Sequence, residues 1–378
     1  GNDTITANAG TDSVDGGAGN DTIIMGANMS AGDTIVGGDG TDTLTLSAAV
    51  TAASASGVST VEVVQFSGGT IAQDMAQFTA NAGFTNVVFG DAGGAGTLTV
   101  TNAQNAITGL QLGNGAASIT GDSAVFDRIN DGTVALGTAN SLTITHDSGG
   151  NAATVTALTV DDEETVTITT NTATDDLTIT TLNSDDMTSL TLTGAGDIII
   201  SAFGAIADMP TTVTSAGMTG TAATTVLLTN SIGAATMTGG VGVDTFTGSL
   251  LADTITGAGG ADVLSGSSGA DNINGGEGAD FISGGIGIDT IVLTETTAAV
   301  DTVVFGNQST VTGGTDIAFA ALGGADTVTG FNAGAVDDSL TFDISAFGLA
   351  GGTEHVGTLA NLQTDSTEHI MILTGAGF

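Results

Sequence analysis

Short runs in which apolar residues alternate with threonine recur through the middle of the chain: LTVT at Leu98, LTIT at Leu142, TVTIT through Val166, LTIT at Leu177, LTLT at Leu190 and DIIIS around Ile198. Alternation at period two sends successive side chains to opposite faces and predicts half-buried β-strands. From Val166 onward roughly 8 to 16 residues separate one run from the next, which leaves no room for intervening helices there and is too irregular for a simple repeat. A stack of short parallel strands, with apolar residues inside and threonine ladders outside, satisfies both observations. Only Ile71 to Ala80 (IAQDMAQFTA) reads as a helix, between the strands VEVVQF from Val61 and NVVFG from Asn86.

A stricter period fills residues 239–292, where six nonapeptides follow one another: GGVGVDTFT, GSLLADTIT, GAGGADVLS, GSSGADNIN, GGEGADFIS and GGIGIDTIV. Their sixth position is Asp244, Asp253, Asp262, Asp271, Asp280 and Asp289, and their eighth is always apolar: Phe246, Ile255, Leu264, Ile273, Ile282 and Ile291. A looser block opens the chain, with Asp3, Asp12 and Asp21 at steps of nine, then a break, then GGDGTDTLT with Asp42. Asp33, twelve residues after Asp21, is assigned to an inserted loop. Such spacing is foreign to flexible glycine-rich linkers. Glycines at the first, second and fourth positions permit a tight turn with positive φ and leave carbonyl oxygens unshielded. The aspartate closing the turn adds a carboxylate, and carbonyl plus carboxylate oxygens are the donors a hard cation takes. Three strand residues follow, the middle one directed inward.

This pattern resembles the haemolysin-type, or RTX, calcium-binding repeat G-G-x-G-x-D-x-U-x. The resemblance implies an all-β parallel β-solenoid, a calcium-binding β-roll continuing into a Thr-rich β-helix with very little helix. By the family's stacking rule two nonapeptides form one coil of 18 residues, so that Asp244, Asp262 and Asp280 share one edge and Asp253, Asp271 and Asp289 the other. About four calcium sites then bridge Asp244 with Asp262, Asp262 with Asp280, Asp253 with Asp271 and Asp271 with Asp289. The family's carbonyl donors map onto the glycine positions, among them Gly240, Gly242, Gly257, Gly260, Gly276, Gly278, Gly285 and Gly287. The second nonapeptide departs from the pattern, with Ser249 and Leu251 in place of glycine. Affinity of about 10⁻⁴ to 10⁻³ M, usual for extracellular modules, would leave the chain unfolded inside the cell and folded outside it.

Charge sharpens this picture. The 378 residues carry 41 acidic side chains and a single basic one, Arg128, for a formal net charge of −40. Phosphate backbones and anionic membranes need Lys and Arg, so nucleic acid is excluded as a partner and anionic bilayers with it. Hydrophobic residues at 40% distinguish the chain from the low-apolar composition of disordered acidic proteins. Cysteine is absent, which removes disulfides and thiolate metal sites. No run of 18 apolar residues is present for a membrane-spanning helix. Arg128 is expected to form a surface pair of little consequence with Asp127 or Asp131. The acidic pairs Asp161–Asp162, Asp175–Asp176 and Asp185–Asp186 are either further cation sites or, more commonly for such pairs, solvated loop charges.

Catalytic constellations are missing from the sequence. His146, His355 and His369 stand apart from any H-E-x-x-H pattern and are expected to be exposed or loop-lining structural residues. There is no G-x-S-x-G elbow. The expectation is a protein that is not an enzyme. Five segments are anticipated: calcium repeats over 1–46, connecting strands with one short helix over 47–94, a Thr-rich solenoid over 95–238, the six-nonapeptide roll over 239–292, and a capping, secretion-associated region over 293–378. In the last, GGADTVTGFNAGAVDDSLTFD carries Asp326 as a further candidate ligand and is similar to segments that follow RTX arrays in type I-secreted proteins. The chain opens at Gly1 inside a repeat, as a fragment of a longer protein would.

Repeat and solenoid sequence covers nearly all of the chain, a balance similar to RTX-type surface-layer (S-layer) proteins. The expected partner is therefore a second copy of the chain in a calcium-dependent lattice at the extracellular cell surface. Contact with surface glycan or lipid is assigned to other parts of the parent protein. The alternative is the calcium-binding repeat portion of a secreted RTX enzyme, toxin or adhesin whose active domain lies outside this sequence.

Overall fold

The computed structural model describes residues 1–81, 83–90, 96–114, 119–128, 140–204, 209–229, 231–305, 327–330 and 339–342. Within them the chain winds as a parallel β-solenoid. Alternate strands join a 15-stranded sheet that runs from Thr4–Thr6 to Thr327–Thr329, and the intervening strands build a 12-stranded sheet from Ile71–Asp74 to Ser339–Phe342. At the N-terminal end the intervening strands Ser13–Ala18, Thr34–Asp39 and Val58–Ser59 form a separate three-stranded sheet.

The alternating pattern explains the winding. On the long sheet Leu142, Val166, Leu190, Val213, Met237, Ile255, Ile273 and Ile291 stack in register, each at most 1% exposed. Facing them are Val155, Ile179, Ile200, Val226, Phe246, Leu264, Ile282 and Val303. The eighth positions of the nonapeptides thus continue the inward ladder of the Thr-rich strands, so one core passes through both kinds of sequence. Outward, Thr143, Thr167, Thr191, Thr214, Thr238 and Thr256 form the matching ladder. β-branched side chains suit such a pleated, half-exposed surface, and neighbouring hydroxyls bond across coils, as Thr169 Oγ1 and Thr193 Oγ1 do at 2.8 Å.

Three expectations are corrected. Ile71 to Ala80 is not a helix: Ile71–Asp74 is a strand paired with Leu98–Thr101, and Met75–Gln77 is a single 3-10 turn. Ile71, Met75 and Phe78, three and four residues apart, are all buried, so helical spacing arose from a strand and a turn facing one core. Among the described residues the one α-helical turn is Ala52–Ala55, capped by Thr51. Arg128 is not a surface residue but is 3% exposed, paired with the fully buried Glu163, and bonded to the Gln104 and Ser141 carbonyls. His146 is likewise buried, its Nδ1 beside the Leu112 carbonyl and its Nε2 beside Ser148 Oγ.

Candidate metal centres

Each nonapeptide contributes a turn, then a short strand. In the last four nonapeptides the second turn position is left-handed whichever residue fills it: φ is +77° at Ala258, +76° at Ser267, +102° at Gly276 and +97° at Gly285. The fourth position is tighter. A Cβ on Gly260 would strike the carbonyl of Gly242, and one on Gly278 the carbonyl of Gly260, because turns stack directly upon each other. Glycine there is a consequence of backbone-to-backbone approach.

The aspartates form two ladders along the edges of the roll. Asp244 N–H donates to Asp262 Oδ1 at 2.8 Å and Asp262 N–H to Asp280 Oδ1 at 2.9 Å. On the other edge Asp253 N–H donates to Asp271 Oδ1 at 2.8 Å and Asp271 N–H to Asp289 Oδ1 at 2.9 Å. These are the four neighbour pairs expected from the stacking. The same relation joins Asp3 to Asp21 at 2.7 Å and Asp21 to Asp42 at 2.8 Å in the N-terminal block.

One oxygen of each carboxylate is therefore spoken for, and the other decides what the site can hold. Oδ2 of Asp262, Asp271 and Asp280, and of Asp12, Asp21 and Asp42, is buried without a hydrogen-bond partner. An unpaired buried carboxylate oxygen is costly. The turn supplies a second oxygen at the same place: a Cβ on Gly257 would collide with both Asp262 Oδ2 and the Gly275 carbonyl, and one on Gly266 with Asp271 Oδ2 and the Gly284 carbonyl. Gly16 and Gly37 stand in the same relation to Asp21 and Asp42. Burial drives the Asp262 carboxyl up to about 6 and those of Asp271 and Asp280 to about 7, with like charges in adjacent coils adding to the rise. Carboxylate and carbonyl oxygens converge on a glycine-sized space with surplus negative charge, the donor set of a hard divalent cation.

Residues 1–24, 30–48, 238–272 and 256–291 match the family model of the RTX calcium-binding nonapeptide repeat, in four copies. The chain carries RTX repeats. No curated protein matches it. RTX repeats bind calcium, and the donors above fit that ion: Asp262 with the Gly275 carbonyl, Asp271 with the Gly284 carbonyl, Asp21 with the Gly37 carbonyl and Asp42 with the Thr60 carbonyl would hold it. Calcium supplies positive charge where folding buries carboxylates, which couples binding to folding.

The RTX turns treat their residues unequally. Asp244 Oδ2 accepts from Gly240 N–H at 2.7 Å, and both oxygens of Asp253 accept from Ser249 Oγ, so neither carboxylate has an unpartnered oxygen. Burial still raises both carboxyls against those hydrogen bonds. Among the glycines assigned as carbonyl donors, Gly257 borders a cradle. Gly242, Gly260, Gly278 and Gly287 sit where turns stack, and Gly276 and Gly285 in the left-handed second position. Sequence reasoning passed over the first-position glycines Gly239, Gly248, Gly266, Gly275 and Gly284, although the first is the one position that is glycine in all six units. Asp3 is exposed, and Asp326 lies outside the described residues.

Asp33 is not on a detached loop. It is 2% exposed and continues the ladder, its Oδ1 accepting from Asp12 N–H at 2.9 Å. Asp301 does the same for Asp280 N–H at 2.9 Å. In the Thr-rich part, Gly96 N–H donates to Asp122, Gly150 N–H to Asp175, Asp162 N–H to Asp185 and Ala223 N–H to Asp197. A carboxylate at the strand entrance thus bonds an N–H of the neighbouring coil in both kinds of sequence. At Asp175 burial acts to raise the carboxyl, but hydrogen bonds from Gly150, Thr172 and Ser148 outweigh it and hold it low, so that group is satisfied by the protein. Asp162, Asp185 and Asp186 bring oxygens within 4.8 Å of one another.

Proposed function

We propose that the chain is a structural constituent of a calcium-dependent surface layer on the outside of a bacterial cell, calcium folding each protomer and neighbours packing against the folded roll. The observation that carries this reading is where apolar surface remains. Among the described residues, the large hydrophobic side chains that stay exposed, such as Val241, Leu250, Val263, Phe281 and Ile288, all lie between 232 and 300. Val263 and Phe281 are partners on adjacent strands and form a continuous outward patch. Exposed apolar clusters of this kind serve as contact surfaces, and this one exists only once the calcium-binding roll has folded. The −40 charge keeps protomers apart until cations screen it. No helix among the described residues is long and apolar enough to cross a membrane. The role is structural and not catalytic.

The test is assembly. Adding millimolar calcium to purified protein should give ordered sheets or filaments under negative stain, and Val263→Ser with Phe281→Ser should leave calcium-folded monomers. Wild-type protein that stays monomeric in calcium would overturn the reading in favour of a repeat region serving a secreted enzyme, toxin or adhesin.

A further inference from the structure

The last RTX turn on the Asp244 edge differs from the others. In the preceding coil the space beside Gly257 is walled by Asp262 Oδ2 and by the first carbonyl of the next coil, Gly275. Beside Gly275, Asp280 Oδ2 is again in place, but the atoms nearest that space include no carbonyl from a following coil. The nonapeptides have ended, and position 293 holds leucine where the next first glycine would fall. Asp280 is 2% exposed and its Oδ2 has no hydrogen-bond partner.

The chain after the roll folds back over this turn. Thr296 N–H and Thr297 N–H donate to the Glu277 carboxylate at 2.7 and 3.0 Å, Thr302 N–H donates to the Asp280 carbonyl at 2.7 Å, and Asp301 Oδ1 accepts from Asp280 N–H. That course holds Glu295, adjacent to Thr296, against the turn that carries Glu277 and Asp280. Glu295 Oε1 accepts from Ala299 N–H at 3.2 Å, while its Oε2 is buried and unpartnered. Two neighbouring carboxylates, each with a buried oxygen lacking any donor, repel unless a cation lies between them.

We propose that Glu295 and Asp280 together bind a terminal divalent cation, calcium by its oxygen donors, with the Glu295 carboxylate taking the part that a glycine carbonyl of the next coil plays elsewhere. Asp280 belongs to the last matched repeat, which ends at 291, and Glu295 lies beyond it. It fastens the first non-repeat loop to the roll, so that the last coil closes with the same ion as its neighbours. The inference depends on calcium binding by the repeats and not on lattice formation.

Two measurements decide it. Calorimetric titration of calcium into the full chain should count one ion fewer for Glu295→Gln than for wild type, with unchanged β-sheet circular dichroism in saturating calcium; glutamine keeps the acceptor for Ala299 N–H and removes only the charge. An equal count would overturn the proposal. Should the variant not fold, a crystal structure of the calcium-loaded wild type gives the answer directly: an ion about 2.3–2.6 Å from both Asp280 Oδ2 and a Glu295 oxygen supports it. Glu295 turned away, or no ion at that place, refutes it.

Discussion

Calcium-free protein should be refolded by acid, and the buried aspartates set how strongly. Asp262 is raised from 3.8 to about 6 and Asp271 and Asp280 from 3.8 to about 7, chiefly by burial. A folded-state value above the unfolded one means that the folded roll binds more protons between pH 3.8 and about 7. Without calcium, stability therefore falls as pH rises through this window, and the penalty is complete above about pH 7 and absent below 3.8. Keeping Asp271 or Asp280 ionised costs about 4 kcal/mol each, and Asp262 about 3 kcal/mol. Any one of these is a sizeable share of the whole stability of an ordinary domain. Far-ultraviolet circular dichroism in chelator should show β-structure appearing as pH is lowered from 7 to 4, whereas in calcium it should persist at pH 7. Asp271→Asn separates this effect from general relief of charge repulsion. Its amide oxygen still accepts the Asp253 N–H and it carries no charge, so the chelated variant should refold nearer neutrality, gaining about 4 kcal/mol at pH 7 while losing calcium affinity. An Asp271→Asn profile in chelator that superimposes on wild type would refute the reasoning.

Two further outcomes follow from the same geometry. Gly257→Ala places a Cβ against Asp262 Oδ2 and the Gly275 carbonyl and should abolish one calcium site by titration, whereas Gly259→Ala, whose nearest neighbour would be 3.9 Å away, should bind as wild type does. Arg128→Met leaves Glu163 buried and unpaired and should cost about 3–5 kcal/mol in urea unfolding at pH 7. Since burial already raises Glu163 to about 7 against the opposing pull of Arg128, that loss should shrink as pH falls and the carboxyl is protonated, and Glu163→Leu in the same chain should restore most of it.

Where a residue's role depends on positions a constant step away, the sequence was sufficient. The nine-residue step of the aspartates and the apolar eighth position determined the strands, their parallel stacking, the two acidic edges and the class of cation, because in a solenoid every coil meets its neighbour at a fixed separation along the chain. That regularity fails where coil length changes. Asp280 pairs with Asp301 and Asp12 with Asp33 at separations of 21 residues instead of 18, so a reading by period set Asp33 aside and passed over Asp301. Helical spacing in Ile71 to Ala80 misled for a related reason: an inward-facing strand followed by an inward-facing turn mimics one face of a helix, and only pairing with Leu98–Thr101 distinguishes them. Burial of Arg128 against Glu163 joins residues 35 apart on different coils, and local charge pattern carries no trace of it. Tertiary structure alone decided which carboxylate oxygen each N–H takes and which is left over. The surplus oxygens of Asp262, Asp271 and Asp280, unpartnered because stacking satisfies one side of each carboxylate and buries the other, are what fit the roll to calcium.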